Sequence, residues 1–268
     1  MAKYQKCPEC GAHAYARDYY SNGHYCFPNQ GGCGAKFSVE IDKIDGLFCH
    51  TIPTNKFLTE RNISAFFHDF YIPVKDGGRE FSNMILAIKS NGTDTVKLNI
   101  SKIIGDDLDK ILKANKGYLE RQPIVVAVPR SKPDNFWQSH ELQFRPAISM
   151  GLEKSTYIVE GSEEKWLIDG TKYLTRIEPT QTTHRAHLEE PENVGRPPYP
   201  GITNATCLLN GDITGKKIIL IDDIYTENRG IDEDCIQFLL DNGAADVILY
   251  TLGMTKRPSK EASLDVPF

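Results

Sequence analysis

The chain has 268 residues, 40% hydrophobic and 25% charged, with a formal net charge of −5. This is ordinary globular composition, and the negative balance excludes a surface built broadly for polyanions, so any nucleic-acid contact must come from a local patch. No apolar run approaches 18 residues and no charged-then-apolar leader opens the sequence, so a protein of the cytoplasm with no membrane contact is expected.

Residues 1–38 are rich in Cys, Gly, Tyr and His and poor in aliphatics, a composition that cannot bury a core without a staple. "CPECG" supplies Cys7 and Cys10, and "CFPNQGGCG" supplies Cys26 and Cys33. Four cysteines crowded at one end of a large chain point to a metal in a reducing compartment rather than to disulfides. Two such pairs suit a tetrahedral four-thiolate site for a structural Zn2+. The second pair is the longer one, so His24 and then His13 stand as fallback ligands. The lysines, Arg17 and tyrosines of this segment leave contact with single-stranded DNA open beside a purely structural clip.

A connecting α+β region, 39–118, follows. "FSNMILAIKS" places Phe81, Met84, Ile85 and Ile88 on one face and predicts a helix. "VKLNISKII" reads as a short strand or turn, and "DDLDKILKANKG" as a helix with acids first, lysine late and a closing glycine. Residues 119–256 form the main α/β unit. "PIVVAVPR" is a continuous apolar strand of the kind found in a parallel sheet covered on both faces. "HELQFRPAIS" is helix-like, and "WLIDGTKYLTRI" suggests a hairpin about Asp169-Gly170. Residues 178–215 are dense in Thr, Pro, Gly, His and Asn, a long loop of the functional kind. Arg176, just before it, and its Thr180, Thr183 and His184 are residue types that an anion-binding flap requires. Strand "KKIILIDD", helix "IDEDCIQFLLDNG" and strand "ADVILYTLG" then make a βαβ unit, and residues 257–268 a loose tail. Cys49, Cys207 and Cys235 read as packing residues, and Trp137 and Trp166 as core or partner contacts.

Asp222 and Asp223 fall at the carboxyl end of "KKIILI", where an open parallel sheet places its ligands. Two adjacent acids cannot both enter an apolar sheet cheaply, so at least one faces a site, and a vicinal diol suits the pair as a donor of hydroxyl hydrogens. The turn from Thr226 to Gly230 leads into a helix, and its backbone N–H groups form an anion cradle. Diol beside phosphate fits a ribose 5-phosphate.

"IILIDDIYT", followed by a helix and "NGAADVILYTLG", resembles the phosphoribosyl-pyrophosphate signature of type I phosphoribosyltransferases. The combination with a Cys-pair N-terminus is similar to the ComF-like orphan branch, related to amidophosphoribosyltransferases. The resemblance implies a parallel-sheet phosphoribosyltransferase fold preceded by a small zinc ribbon. It implies that Asp222 and Asp223 hold the ribose hydroxyls at the reacting centre, that Tyr225, Thr226, Glu227, Asn228, Arg229 and Gly230 hold the 5-phosphate, and that Arg130 and Ser131 take the pyrophosphate with Mg2+. The usual turn of that family is Thr-Thr-Gly-x-Thr or Thr-Ser-Gly-x-Thr; here Glu227 adds negative charge, and Asp232, Glu233 and Asp234 occupy the first helical turn. The function expected is transfer or hydrolysis at an anomeric carbon with the acceptor open, as a monomer or an oligomer. The rival expectation is a non-catalytic module that senses a nucleotide or serves DNA uptake, repair or defence.

Overall fold

A computed structural model describes residues 41–74, 77–156, 166–182, 195–196, 201–227 and 229–255, together with the backbone of four short N-terminal strands. Those strands, β1 (Tyr4–Lys6), β2 (His13–Ala16), β3 (Gly23–Tyr25) and β4 (Lys36–Ser38), form an antiparallel sheet in sequence order. Cys7 and Cys10 fall in the β1–β2 connection and Cys26 and Cys33 in the β3–β4 connection, outside the described residues.

The main body is a seven-stranded sheet. Its strands are β5 (Asp42–Ile44), β6 (Leu47–Ile52), β7 (Ile63–Tyr71), β8 (Ile124–Ala127), β9 (Ile168–Asp169), β12 (Lys217–Tyr225) and β13 (Asp246–Thr255). The spatial order is β5-β6-β7-β13-β12-β8-β9. From β7 to β9 every pairing is parallel, and the β5–β6 hairpin adds an antiparallel margin at the β7 edge. Region 39–118 therefore supplies strands to the same sheet as the βαβ unit. A separate pair, β10 (Leu174–Arg176) and β11 (Cys207–Leu209), is antiparallel.

Both faces of the parallel strands are covered, which is why they read as unbroken apolar runs. Ile124, Val126, Ile218, Leu220, Val247 and Leu249 point to the side of α4 (Ile231–Asp241), where Cys235, Ile236 and Leu239 are fully buried. Val125, Ala127, Ile219, Ile221, Ile248 and Tyr250 point to the other side, covered by α1 (Glu80–Ser90), α2 (Asp94–Ala114) and α3 (Phe144–Lys154). Cys207 and Cys235 are core residues, as expected, and burial raises both thiol pKa values. Among the described residues, no helix is long and apolar enough to cross a membrane.

Besides β11, which lies within the span 178–215 read as a loop, two elements differ from the sequence reading. "VKLNISKII" is not a strand or turn but the first half of the 21-residue α2. Its β-branched residues suggest a strand, yet Ile100, Ile104, Leu108 and Ile111 form one helical stripe that is completely buried, and packing overrides propensity. α2 and α3 cross where Gly105 and Gly151 meet; a Cβ on Gly105 would lie 2.9 Å from the Gly151 carbonyl oxygen. The second difference is the hairpin at Asp169-Gly170. A turn is present, with Tyr173 N donating to Gly170 O at 2.8 Å, but β9 pairs in parallel with β8 while β10 pairs with β11. The strands flanking the turn thus enter different sheets.

The connections fix where a ligand can sit. From β8 the chain passes through α3 to β9 on one side; from β12 it passes through α4 to β13 on the other. The two crossovers leave neighbouring parallel strands in opposite directions, with α3 and α4 on opposite faces. A crevice opens at such a switch point, outside the carboxyl ends of β8 and β12.

Candidate functional site

The switch point gathers the end of β12, the loop after β8, the last turn of α1 and the start of α4. Strand alternation sends Asp222 toward the α4 side and Asp223 toward α1. Lys89, one residue before the end of α1, meets Asp223 there: its Nζ lies 2.5 Å from Oδ2, with the lysine side chain 40% exposed and the aspartate side chain 6%. Asp222 turns back to accept the backbone N–H of Asp223 at 2.8 Å and is hydrogen-bonded to Asp232 in the first turn of α4. Next to it, Glu233 accepts the Tyr225 hydroxyl at 3.2 Å. Asp232 and Glu233 are 4% and 3% exposed, and Asp232 Oδ1 has no hydrogen-bond partner among the described residues.

Three aspartates and one lysine divide their protons unevenly. Burial pushes Asp222 well above the usual carboxylate range, and the charges of Asp223 and Asp232 add to it. Burial likewise raises Asp232, reinforced by Glu233. Asp223 goes the other way: burial acts to raise it, but the Lys89 ammonium and its hydrogen bond bring it below its ordinary value. For Lys89 burial acts to lower the pKa, and the charges of Asp223 and Asp222 outweigh it. Lys89 and Asp223 thus favour each other's charged forms, while Asp222 and Asp232 are both driven toward the protonated form. Tyr71, the last residue of β7, has its hydroxyl pKa raised, by burial first, and lies within the fields of both Lys89 and Asp223.

Arg130 reaches the same crevice from the loop after β8. Its Nη1 donates to the carbonyls of Lys89 (3.0 Å) and Glu141 (2.5 Å), and its guanidinium lies 3.6 Å from the centroid of the Trp137 ring. It thus ties the end of α1 to the β8 loop. Ser131 and Thr180 meet through backbone, with Thr180 N and Oγ1 both donating to Ser131 O at 2.8 and 3.2 Å. Arg176 is buried and donates to the carbonyls of Arg130 and Gly201. Asp234 Oδ2 accepts Gly201 N and Ile202 N at 2.6 and 2.8 Å. These bonds anchor both ends of the long Thr/Pro/Gly-rich loop beside the crevice. Thr183, His184 and Asn228 lie outside the described residues.

The expected phosphate turn is only partly a cradle. Tyr225 is buried at 3% exposure, and its hydroxyl is taken by Glu233. Thr226 shares a hydrogen bond of 2.7 Å with Thr255, and Arg229 N donates to Thr226 O at 3.1 Å to close the turn. Glu227 stands between them in sequence. Gly230 is left-handed (φ +72°) and packs under Phe57, whose ring a Cβ would approach to 2.4 Å, so only glycine fits before α4. Sequence reading thus found Asp222, Asp223 and Arg130 together in the crevice. It missed Lys89 and Tyr71, and it took Asp232 and Glu233 only as competitors for the helix dipole. The lone signal for Lys89 was a basic residue in the last turn of a predicted helix.

No family model matches the chain, and none of the curated proteins does. Among solved structures, a hypoxanthine phosphoribosyltransferase from Staphylococcus aureus aligns in its orthorhombic crystal form with 14% identity and a TM-score of 0.31, covering 66% of this chain and 82% of that one. The tetragonal form aligns with 14% identity and a TM-score of 0.30, covering 67% and 83%. At that level of similarity the site has to be read from its own geometry.

Proposed function

We propose that the protein binds phosphoribosyl pyrophosphate or a related ribose 5-phosphate ligand in the switch-point crevice and acts at its anomeric carbon, with the acceptor open. The observation that carries this reading is the Asp222–Asp223 pair at the carboxyl end of β12, beside the β8 loop. Its carboxylate oxygens suit the two hydroxyls of a ribose. A carbon that develops positive charge as pyrophosphate leaves would be stabilised by the Asp223 carboxylate, the one of the pair held in its charged form. Among the described residues no three His, Cys, Asp or Glu side chains form a ready metal site. The acids therefore fit a Mg2+ that arrives on the pyrophosphate oxygens and keeps most of its ligands from there, as that hard ion does. Bound in this way, Mg2+ would neutralise the leaving group. The two cysteine pairs, in matching connections of the N-terminal sheet, support a structural Zn2+ clip.

A second reading, a non-catalytic nucleotide or phosphosugar sensor, is favoured by one feature: Asp223 is already paired with Lys89, and acids occupy the turn where phosphate would sit. Titration calorimetry with phosphoribosyl pyrophosphate and Mg2+ tests both. Saturable binding is expected in the wild type. It should weaken by about tenfold or more in Asp222→Asn/Asp223→Asn, since bonds to charged acceptors contribute about 1.5–3 kcal/mol each. No heat from folded protein, or unchanged affinity in the variant, overturns the reading. Binding without pyrophosphate release on any purine, pyrimidine or amine acceptor selects the sensor.

A further inference from the structure

The crevice poses an electrostatic problem for a phosphorylated ligand. Asp222, Asp223, Asp232 and Glu233 converge there, and α4 begins with three acids, so its N-terminus offers little to an anion. Among the described residues, Lys89 and Arg130 are the cations in the field of Asp223. Arg130 is committed: its guanidinium stacks on Trp137 and donates to two backbone carbonyls. Lys89 is not held in that way. Its ammonium sits at the end of a flexible four-carbon stem, it is 40% exposed, and its ion-pair partner is the acid that a sugar hydroxyl would need.

We propose that Lys89 is the anion-recognition residue of this crevice, resting on Asp223 until a ligand binds and passing to the ligand's phosphate when a hydroxyl takes its place. This rests on the ribose-phosphate reading above and deepens it. When the ligand enters, Asp223 exchanges one donor for another, so the buried carboxylate is never left bare. The ammonium moves a short way and gains a phosphate oxygen. A neutral sugar displaces Lys89 without offering it a new partner. The lysine therefore couples diol binding to the presence of phosphate and discriminates a sugar phosphate from the free sugar. Arg130, by gripping the Lys89 carbonyl, acts as its positioning residue.

The test compares wild type, Lys89→Arg and Lys89→Met in titrations with ribose 5-phosphate and, by competition, with ribose. Thermal melts confirm that each variant is folded, and the arginine variant keeps a cation on Asp223 should the methionine one unfold. The methionine variant is expected to lose about tenfold or more in affinity for ribose 5-phosphate, to bind ribose no more weakly than wild type, and to lose salt dependence. The arginine variant should retain most of the preference for the phosphorylated sugar. Equal binding of ribose 5-phosphate by wild type and the methionine variant overturns the proposal while leaving the sugar site standing. Parallel loss of both ligands also overturns it, because the lysine would then only hold Asp223 in place. If the wild type binds neither ligand, the underlying site reading fails, and the proposal fails with it.

Discussion

Asp232 should cost the protein stability, and the cost should depend on pH. Its side chain is 4% exposed, one carboxylate oxygen has no partner among the described residues, and burial together with Glu233 pushes its pKa well up. A group whose folded pKa lies above its unfolded value contributes its stability below the ordinary carboxylate range, near pH 3.9. That contribution is lost as the pH rises through the folded value. Asp232→Asn removes the titration and supplies an N–H donor toward Asp222. Ionising a buried acid at pH 8 costs about 1.36 kcal/mol for each unit by which its pKa is raised, so the asparagine variant should be more stable by about 1 kcal/mol or more at pH 8. It should match the wild type near pH 4. At about 2–4 °C per kcal/mol for a chain of this size, the difference at pH 8 is readily seen in a thermal melt. Urea melts across pH 4–8 give the free energies. A variant less stable than wild type at pH 8, or a gap that does not change with pH, would refute the reasoning.

Two further outcomes follow from buried groups away from the crevice. Asp107 on α2 is fully buried and accepts from His68 Nδ1 (2.8 Å), Lys110 Nζ (2.8 Å) and the Tyr250 hydroxyl (2.9 Å). Asp107→Ala should destabilise by about 3–5 kcal/mol in urea melts, since it strands the Tyr250 hydroxyl, unpairs Lys110 and removes the acceptor of His68. The double variant with Tyr250→Phe should lose less than the sum of the two singles, and additivity would show that the network does not exist. His50, packed 5.3 Å from the Tyr225 ring, has its pKa lowered to about 4, chiefly by burial. The unfolded chain then binds a proton that the folded one refuses between pH 6.5 and about 4, so stability falls as the pH drops through that window. The loss should reach about 3 kcal/mol, at about 1.36 kcal/mol per unit of pKa shift. A His50→Leu variant should lack that slope, and a slope left intact would place the titration elsewhere.

The parts of this fold that were legible in the sequence are those whose signal is local. The βαβ unit could be read because β12 and β13 are unbroken apolar runs, a pattern that only a strand covered on both faces requires. α1 was marked by Phe81, Met84, Ile85 and Ile88. α2 was half lost because its isoleucines and valine imitate a strand, and only the packing of Ile100, Ile104 and Leu108 distinguishes the two. The Asp222–Asp223 pair marked the polar end of β12 because adjacent acids conflict with an apolar strand. Lys89 gave no such warning: its partner is set by which helix the topology lays over the end of β12. The same holds for Asp232, whose raised pKa arises only when α4 turns its first residues back toward Asp222.

The strand order has a consequence for how the chain is made. β13 lies between β7 and β12 and pairs in parallel with both, yet it is the last strand of the sheet to be synthesised. Until it emerges, β7 and β12 each present an open apolar edge, and the helices over the two faces have a gap beneath them. Such edges invite pairing with other chains. Closing them requires contacts between residues near 65 and residues near 250, the long-range kind that slows folding. The β7 edge, made long before its partner, is the one exposed longest during synthesis and the one that shielding would protect.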